Sequence, residues 1–279
     1  MTPDASVRRQ DSTDAYFGER SAYWDEIYSQ GELQGLIYRK RMQAAMAWID
    51  ALGLDPVAKV LEVGCGAGLA TLELARRGYA VHSTDSSADM VALASHRIAQ
   101  ADVGDVVLSV SDVHDLPYGA GSFELVLALG VLPWLHSPQR ALGQIARVLA
   151  PGGHAILSAD NRLRLNGLVD PVENPLFVPA KYARRGVRAL RGRPSIGAAG
   201  RLYTPERVDR WLAAAGLEPE RRTTVGFGPF TFFWRSVLPD RTSLRLNRGL
   251  DHLAERRVPR LRRYGWHYLV SARKANSQE

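Results

Sequence analysis

The sequence predicts an α/β fold in which a doubly wound, mostly parallel sheet closes with an antiparallel strand. Two observations carry this prediction. Runs of β-forming residues alternate with helical patterns through the first 160 residues, as in repeated β-turn-α units. A pair of strand patterns then comes late in the chain, the arrangement that adds an antiparallel strand to such a sheet.

The first β-turn-α unit carries the most informative turn. Lys59–Val63 is a short run of β-formers, and a helical pattern follows from Leu69. Between them Gly64, Gly66 and Gly68 alternate with Cys65 and Ala67. Glycine allows backbone angles that a Cβ forbids and lets a ligand approach the main chain closely. The free N–H groups of the new helix point at the same place, so this turn predicts a ligand site.

The second unit predicts a ribose contact. Its strand pattern, Tyr79–Thr84, ends at Asp85, about 20 residues after the glycine turn, where a carboxylate can accept hydrogen bonds from both hydroxyls of a ribose. Ser86 and Ser87 then provide N-cap residues for the next helix. The later predicted strands are 105–110, 122–129, 154–158, 218–225 and 267–272, and the later predicted helices are 138–149 and one that begins at Thr204.

Composition excludes several function classes. The chain has 279 residues and one cysteine, Cys65, so a disulfide framework, a four-cysteine metal site and a radical iron–sulfur cluster are excluded, and we expect no metal. A cysteine nucleophile is also disfavoured, because this cysteine lies in the glycine turn. We find no apolar run long enough to span a membrane and no secretory signal, so we expect a cytoplasmic protein.

The charge is unevenly distributed. Residues 1–160 carry a net charge of −7 and residues 161–279 a net charge of +14. The basic excess therefore belongs to segments added around the predicted ligand site. A solvated basic face and a surface for an anionic partner both fit this pattern.

Several correctly spaced motifs together resemble the class I S-adenosylmethionine (SAM) dependent methyltransferases. They are E-x-G-x-G-x-G at 62–68, D-S-S-x-x-M at 85–90, an acid after the third strand at Asp112, and L-x-P-G-G at 149–153. The resemblance covers about residues 55–160 and is strongest to the small-molecule and lipid branch that includes the ubiquinone and menaquinone C-methyltransferases. It implies a seven-stranded Rossmann-like methyltransferase sheet with N-terminal helices and basic C-terminal insertions.

The resemblance also implies where SAM binds. Glu62 and the glycine loop would face its methionine moiety, Asp85 its ribose and Asp112 its adenine, with Leu129 beside the sulfonium. The full predicted set of cofactor-binding residues is Tyr23, Glu62, Gly64, Cys65, Gly66, Gly68, Asp85, Ser86, Met90, Asp112, Val113 and Leu129.

The acceptor side is less specified. By resemblance, leading helices roof the site and the turn after the fourth strand receives the acceptor, so we predict substrate contacts from Tyr38, Arg39 and Trp134. The aromatic cluster from Phe227 to Trp234 favours an apolar acceptor, and we predict a further substrate contact from Phe230 within it. A general base is required only where the acceptor loses a proton, and His136 is the candidate, with His114 as another. The turn 128–131 lacks the N/D-P-P-Y/F run of enzymes that methylate exocyclic amines of bases.

We predict five segments: a disordered tail (1–14), a helical cap (15–54), a SAM-binding core (55–160), a lid-like insertion (161–203) with a basic amphipathic segment at 181–191, and the rest of the core (204–279) with a second insertion (226–263). The predicted function is methyl transfer to a small-molecule or lipid-like acceptor. Peripheral contact with an anionic membrane, an RNA methyltransferase that uses the arginine-rich surface, and a non-catalytic SAM-fold interaction protein stay open.

Overall fold

The computed structural model describes residues 32–171, 174, 200–233 and 235–276. Several predictions fall outside these residues: the tail 1–14, the first part of the helical cap with Tyr23, most of the lid-like insertion with its basic segment 181–191, and Trp234. Among the residues described, none of the helices combines the length and the apolar composition that a membrane span requires.

The helices are α1 (Leu33–Leu52), α2 (Leu69–Arg76), α3 (Ala88–Ala99), α4 (Pro138–Val148), α5 (Leu165–Val169), α6 (Pro205–Ala214) and α7 (Asp240–Arg256), with 3₁₀ turns at Leu132–Trp134 and Pro259–Tyr264. The strands are β1 (Lys59–Val63), β2 (Ala80–Asp85), β3 (Val106–Val110), β4 (Phe123–Ala128), β5 (Leu149–Asp160), β6 (Leu217–Val225), β7 (Thr231–Phe232), β8 (Arg235–Ser236) and β9 (His267–Lys274).

The main sheet has seven strands in the order β3-β2-β1-β4-β5-β9-β6. The strands from β3 to β5 are all parallel, and β9 runs antiparallel to both β5 and β6. This confirms the predicted doubly wound sheet with an antiparallel last strand. The order reverses between β1 and β4, and ligands of open α/β sheets bind outside the carboxyl ends of the strands at such a point.

The core lies on both faces of this sheet. Central strands bury both faces, as expected for a parallel sheet: Val60, Leu61, Leu125 and Val126 have no exposed surface. One face packs against α4 and α6, and the other against α1 and α2. Helix α1 therefore lies across the sheet, and its residues 38–42 reach the carboxyl edge of the strands.

The second predicted insertion, residues 226–263, contains regular structure. A two-stranded hairpin (β7 and β8) is followed by the 17-residue helix α7. Leu244 of α7 packs against Leu33, Ile37 and Trp266, and Lys40 forms an ion pair with Asp251. The insertion is thus fastened to α1, at the edge of the sheet where the site lies.

Candidate functional site

A cleft lies at the carboxyl edge of the parallel strands and holds about 1260 Å³ of space, part of it open to solvent. It is lined by α1 and by the residues that end or follow β1 to β5. The lining residues are Tyr38, Arg41, Met42, Glu62, Val63, Gly64, Cys65, Gly66, Ala67, Leu69, Ala70, Asp85, Ser86, Met90, Ser111, Asp112, Val113, Leu129, Gly130, Val131, Trp134, Leu135 and Asp160.

The glycines of the loop after β1 have different surroundings. All three have positive φ angles, 69° at Gly64, 51° at Gly66 and 75° at Gly68. A Cβ on Gly64 would lie 2.5 Å from a methyl of Val131, and one on Gly68 would lie 2.9 Å from the Cβ of Ala94. A Cβ on Gly66 would meet nothing within 4 Å, so only Gly66 presents open space to the cleft.

Glu62 is a buried acid at the base of the cleft. It is 4% exposed, and its Oε2 accepts hydrogen bonds from Thr71 Oγ1 at 2.5 Å and Ser83 Oγ at 3.2 Å. Burial raises the pKa of Glu62 to about 7, because the two hydroxyl donors offset only part of the cost of desolvating the charged form. A cation in the cleft would favour the carboxylate.

Asp85 fixes the glycine loop. Its Oδ2 accepts from the Gly66 backbone N–H at 2.9 Å, and its Oδ1 accepts from the Ser87 N–H at 3.0 Å. The loop is also held to β2 by bonds from the N–H groups of Gly64 and Cys65 to the Thr84 carbonyl. Each carboxylate oxygen can accept two hydrogen bonds, so a carboxylate at this position can also accept from ligand hydroxyls.

Asp112 is held by His114. Asp112 Oδ1 accepts from the His114 N–H at 2.9 Å and lies 2.6 Å from His114 Nδ1. The Ser137 N–H donates to His114 Nε2 at 3.3 Å, so the ring proton is on Nδ1 and points at the carboxylate. Burial alone would raise the pKa of Asp112, but the bonds from His114 outweigh it and lower that pKa. Ser137 therefore anchors the His114 ring through Nε2, and the ring orients Asp112 through Nδ1.

The other predicted chemical groups lie differently. The His136 ring stacks on the His114 ring with centroids 3.6 Å apart, and His136 is not among the lining residues. Its role as a base stays a prediction. Cys65 lines the cleft, and burial raises the pKa of its thiol, which keeps it protonated at neutral pH.

The structure brings most of the predicted residues together. The following predicted residues line the cleft: Glu62, Gly64, Cys65, Gly66, Asp85, Ser86, Met90, Asp112, Val113, Leu129, Tyr38 and Trp134. Gly68, Arg39 and Phe230 do not line it. Gly68 is the N-cap of α2 and contacts α3, and Phe230 packs against the cluster of Leu33, Ile37 and Trp266.

Sequence reasoning missed two charged lining residues, Arg41 and Asp160. Arg41 is 4% exposed although it sits in a helix segment rich in basic residues, which gave no sign that its side chain turns inward. Asp160 is the last residue of β5, as Asp85 is of β2, and this shared position was an available signal. Among the described residues, no group of three or more His, Cys, Asp or Glu could hold a metal ion.

Comparisons with known proteins agree with this geometry. A family model described as "Methyltransferase domain" matches residues 61–157. The chain is 32% identical over 161 residues to the ubiquinone biosynthesis O-methyltransferase of Xanthomonas oryzae pv. oryzae, covering 57% of this chain and 65% of that protein. It is 28% identical over 179 residues to the protein of the same name from Rhizobium etli, covering 63% and 66%. The chain thus spans slightly less than two thirds of the length of these curated relatives.

Solved structures share the fold over nearly the whole chain. Magnesium protoporphyrin IX methyltransferase from Synechocystis PCC 6803, with bound S-adenosylhomocysteine (SAH), aligns with a TM-score of 0.64 at 17% identity, covering 96% of this chain and 100% of that one. The predicted fold is therefore confirmed. Residues 61–157 match the methyltransferase domain model, in agreement with the predicted resemblance to the class I SAM-dependent methyltransferases.

Proposed function

We propose that the protein transfers a methyl group from SAM to an oxygen atom of a small-molecule acceptor. One observation carries this proposal: the open glycine loop at Gly66, the buried acid Glu62, and the acids Asp85 at the end of β2 and Asp112 just after β3 line one cleft of a methyltransferase domain. The choice of oxygen is supported by the relatives, which are named O-methyltransferases. A lipid-like acceptor, such as their name suggests, would meet the apolar side chains of Met42, Val131 and Trp134.

The residues present fit SAM. Gly66 leaves open space over the main chain, so a ligand can approach the loop closely. Burial raises the pKa of the Glu62 carboxyl, and a nearby cation would stabilise its ionised form. The amino acid part of SAM carries an ammonium group that can supply this cation. Asp85 has acceptor capacity for the ribose hydroxyls, and Asp112 is held in place by His114 to accept from the adenine amino group.

When bound, SAM supplies a methyl group on a sulfonium whose leaving group is neutral, so no residue is needed to protonate it. The contribution of the chain is then to position the acceptor and to exclude water. Well-oriented intramolecular reactions gain on the order of 7–11 kcal/mol from such positioning. Leu129, Val131 and Leu135 give this part of the cleft an apolar wall next to the glycine loop.

We expect Asp85→Ala to weaken SAH binding by about 1.5–3 kcal/mol, because the ribose hydroxyls lose a charged partner and the Gly66 N–H loses its acceptor. Isothermal titration calorimetry measures the change. Asp89→Ala is the matched control, since it removes the same charge from an exposed position four residues away, and it should stay within about twofold of the parent. Equal affinities for parent and Asp85→Ala would place the ribose elsewhere.

We also propose peripheral contact with an anionic membrane, through the basic face of α7. Arg241, Arg245 and Arg248 are exposed and, at i, i+4 and i+7, lie on one face of this helix. The nearby hairpin exposes Phe232 by 46% and Phe233 by 54%. Basic residues beside exposed aromatic rings are typical of surfaces that dock on anionic lipid.

Arginines near an anionic surface contribute about 1 kcal/mol each, so Arg245→Gln/Arg248→Gln should lower partitioning onto phosphatidylserine vesicles by roughly tenfold or more at low salt. The control variant Arg76→Gln/Arg210→Gln removes the same charge from exposed positions on α2 and α6, which pack on the main sheet. It should change partitioning little. Co-sedimentation in rising salt measures both. RNA gel-shift without vesicle binding would favour the nucleic-acid alternative, and equal loss in both variants would overturn a role for this face.

A further inference from the structure

Four residues form a cluster at the end of the cleft beyond β4, which we call the β5 cluster: Tyr38, Arg41, Asp160 and His267. Tyr38 and Arg41 are one turn apart on α1. Asp160 ends β5 and His267 begins β9, and the two are paired in register. The sheet order places β5 on the opposite side of β1 and β4 from Asp85 and Asp112, about 10 Å from β1 at 4.8 Å per strand. The cluster is therefore separate from the proposed cofactor residues.

The cluster is held together by short contacts. His267 Nδ1 lies 3.0 Å from Asp160 Oδ1, and the His267 ring centroid lies 5.2 Å from that of Tyr38. The Arg41 guanidinium carbon lies 4.8 Å from the centroid of the Tyr38 ring. Within the described part of the chain, the groups that act electrostatically on Asp160 are His267, Arg164 and Arg41.

These contacts keep Asp160 ionised. Burial would raise its pKa, but the His267 hydrogen bond and the cationic neighbours outweigh burial and lower the pKa. Burial lowers the pKa of His267, which is almost completely enclosed. At neutral pH the pair is thus a carboxylate with a neutral imidazole that donates from Nδ1, and the carboxylate is the member that faces the cleft.

The Arg41 guanidinium reaches the place where an acceptor would enter. A Cβ on Gly130, directly after Leu129, would lie 2.9 Å from Arg41 Nη1, so the absence of that Cβ makes room for the guanidinium. Gly130 also has a φ of 80°, and its N–H donates to Ser158 Oγ at 2.8 Å, which fixes the turn. A hydrogen-bond donor with a permanent charge and an ionised acceptor therefore line the same end of the cleft.

We propose that Arg41 and Asp160 bind the reacting hydroxyl of an acidic acceptor, a phenol or an enol, with Asp160 accepting its hydrogen bond and Arg41 stabilising the oxygen anion. The acceptor O–H bond breaks and its proton goes to water, because the lowered pKa of Asp160 makes its carboxylate a weaker base than the phenolate. The oxygen keeps the electron pair and forms the new O–C bond, while the C–S bond breaks with its pair left on sulfur. His267 is a positioning residue that holds the carboxylate. This inference rests on the proposed function.

The test uses chromogenic phenols, 4-nitrophenol and 4-nitrocatechol, titrated spectroscopically with the full-length protein saturated with SAH. Arg41 should favour the bound phenolate, so the parent should raise the ionisation constant of the bound phenol by about tenfold or more. Arg41→Met should abolish that increase. Asp160→Asn should increase ionisation further, because it removes the partner of the neutral hydroxyl and a nearby negative charge. The two variants thus change the ionisation constant of the bound phenol in opposite directions.

Arg164→Met is the matched control, because Arg164 also acts on Asp160 but does not line the cleft. Arg164→Met should change the ionisation constant of the bound phenol by less than half as much as Arg41→Met. Equal changes would indicate a distant charge effect and would contradict direct contact between Arg41 and the phenol. Calorimetry with SAH, run first on each variant, verifies folding and the cofactor site. If SAH binds and the parent neither binds nor ionises either phenol, the inference is wrong and the methyltransferase proposal stands. If SAH does not bind, the proposed function itself fails.

Discussion

Gly66→Val should reduce SAH affinity by at least about 100-fold while the protein stays folded. The valine would adopt a φ of 51°, which is strained for a β-branched residue, and its methyl groups would enter the open space above the loop. Apart from the two adjacent residues, no protein atom lies within 4 Å of that Cβ, so the Cβ itself enters open space. The loss therefore reports a ligand that approaches the main chain at this glycine.

The matched control is Gly53→Val. Gly53 ends α1 with a φ of 61°, and a Cβ there also meets nothing within 4 Å, but it is not a lining residue. Both variants should lose a similar stability, about 1–3 kcal/mol, from the left-handed backbone. Only Gly66→Val should lose SAH, measured by calorimetry. Equal affinities in the two variants would show that no ligand lies over Gly66.

Glu62→Gln should stabilise the ligand-free protein at pH 8 and weaken SAH binding. A carboxyl with a pKa of about 7 when folded and 4.5 when unfolded has the same charge in both states below pH 4.5. As pH rises from 4.5 to 7, Glu62 ionises in the unfolded state before it ionises in the folded state, so the free energy of unfolding decreases. The total decrease is about 3 kcal/mol, and it stays constant above pH 7. Chemical denaturation at pH 4.5 and pH 8 measures the free energy of unfolding of both proteins. The difference between Glu62→Gln and the parent should increase by about this amount from pH 4.5 to pH 8.

The same group makes ligand binding depend on pH. The parent should bind SAH roughly eightfold more tightly at pH 7.5 than at pH 6, because a cation binds the ionised Glu62 and ionisation is complete only above pH 7. Glu62→Gln should lose most of this dependence. Thr71→Val, which removes a hydrogen-bond donor to the carboxylate, should move the transition to higher pH. A parent affinity that is flat over this range would remove Glu62 from the ligand site.

Local sequence patterns were sufficient for the core of this fold. Each β-turn-α unit can be predicted from residues that are close together in the chain. The acids at the strand ends lie near one another because the parallel strands end at the same edge of the sheet. Asp85 and Asp112 line the cleft for that reason. The different surroundings of Gly64, Gly66 and Gly68 could not be read in the same way, since they depend on Val131 and Ala94 from distant segments.

The helix α7 was missed for a physical reason. Its buried face contains Ser243 and Asn247, and Asn247 Oδ1 accepts from the Phe227 N–H at 3.1 Å. Polar residues on the buried face weaken the apolar periodicity that predicts a helix. Arg41 escaped notice in a similar way, because its burial depends on how α1 crosses the sheet and on the missing side chain at Gly130.

Calorimetric titration of the parent protein with SAH and, separately, with NAD at pH 7 distinguishes a SAM site from a dinucleotide site in this cleft. The proposed SAM site predicts one SAH bound per chain with a dissociation constant in the micromolar range or tighter, and no heat with NAD. It also predicts proton release on SAH binding, seen as a dependence of the heat on the ionisation enthalpy of the buffer, because Glu62 changes from partly protonated to ionised. Binding of NAD without binding of SAH would show that the cleft is not a SAM site.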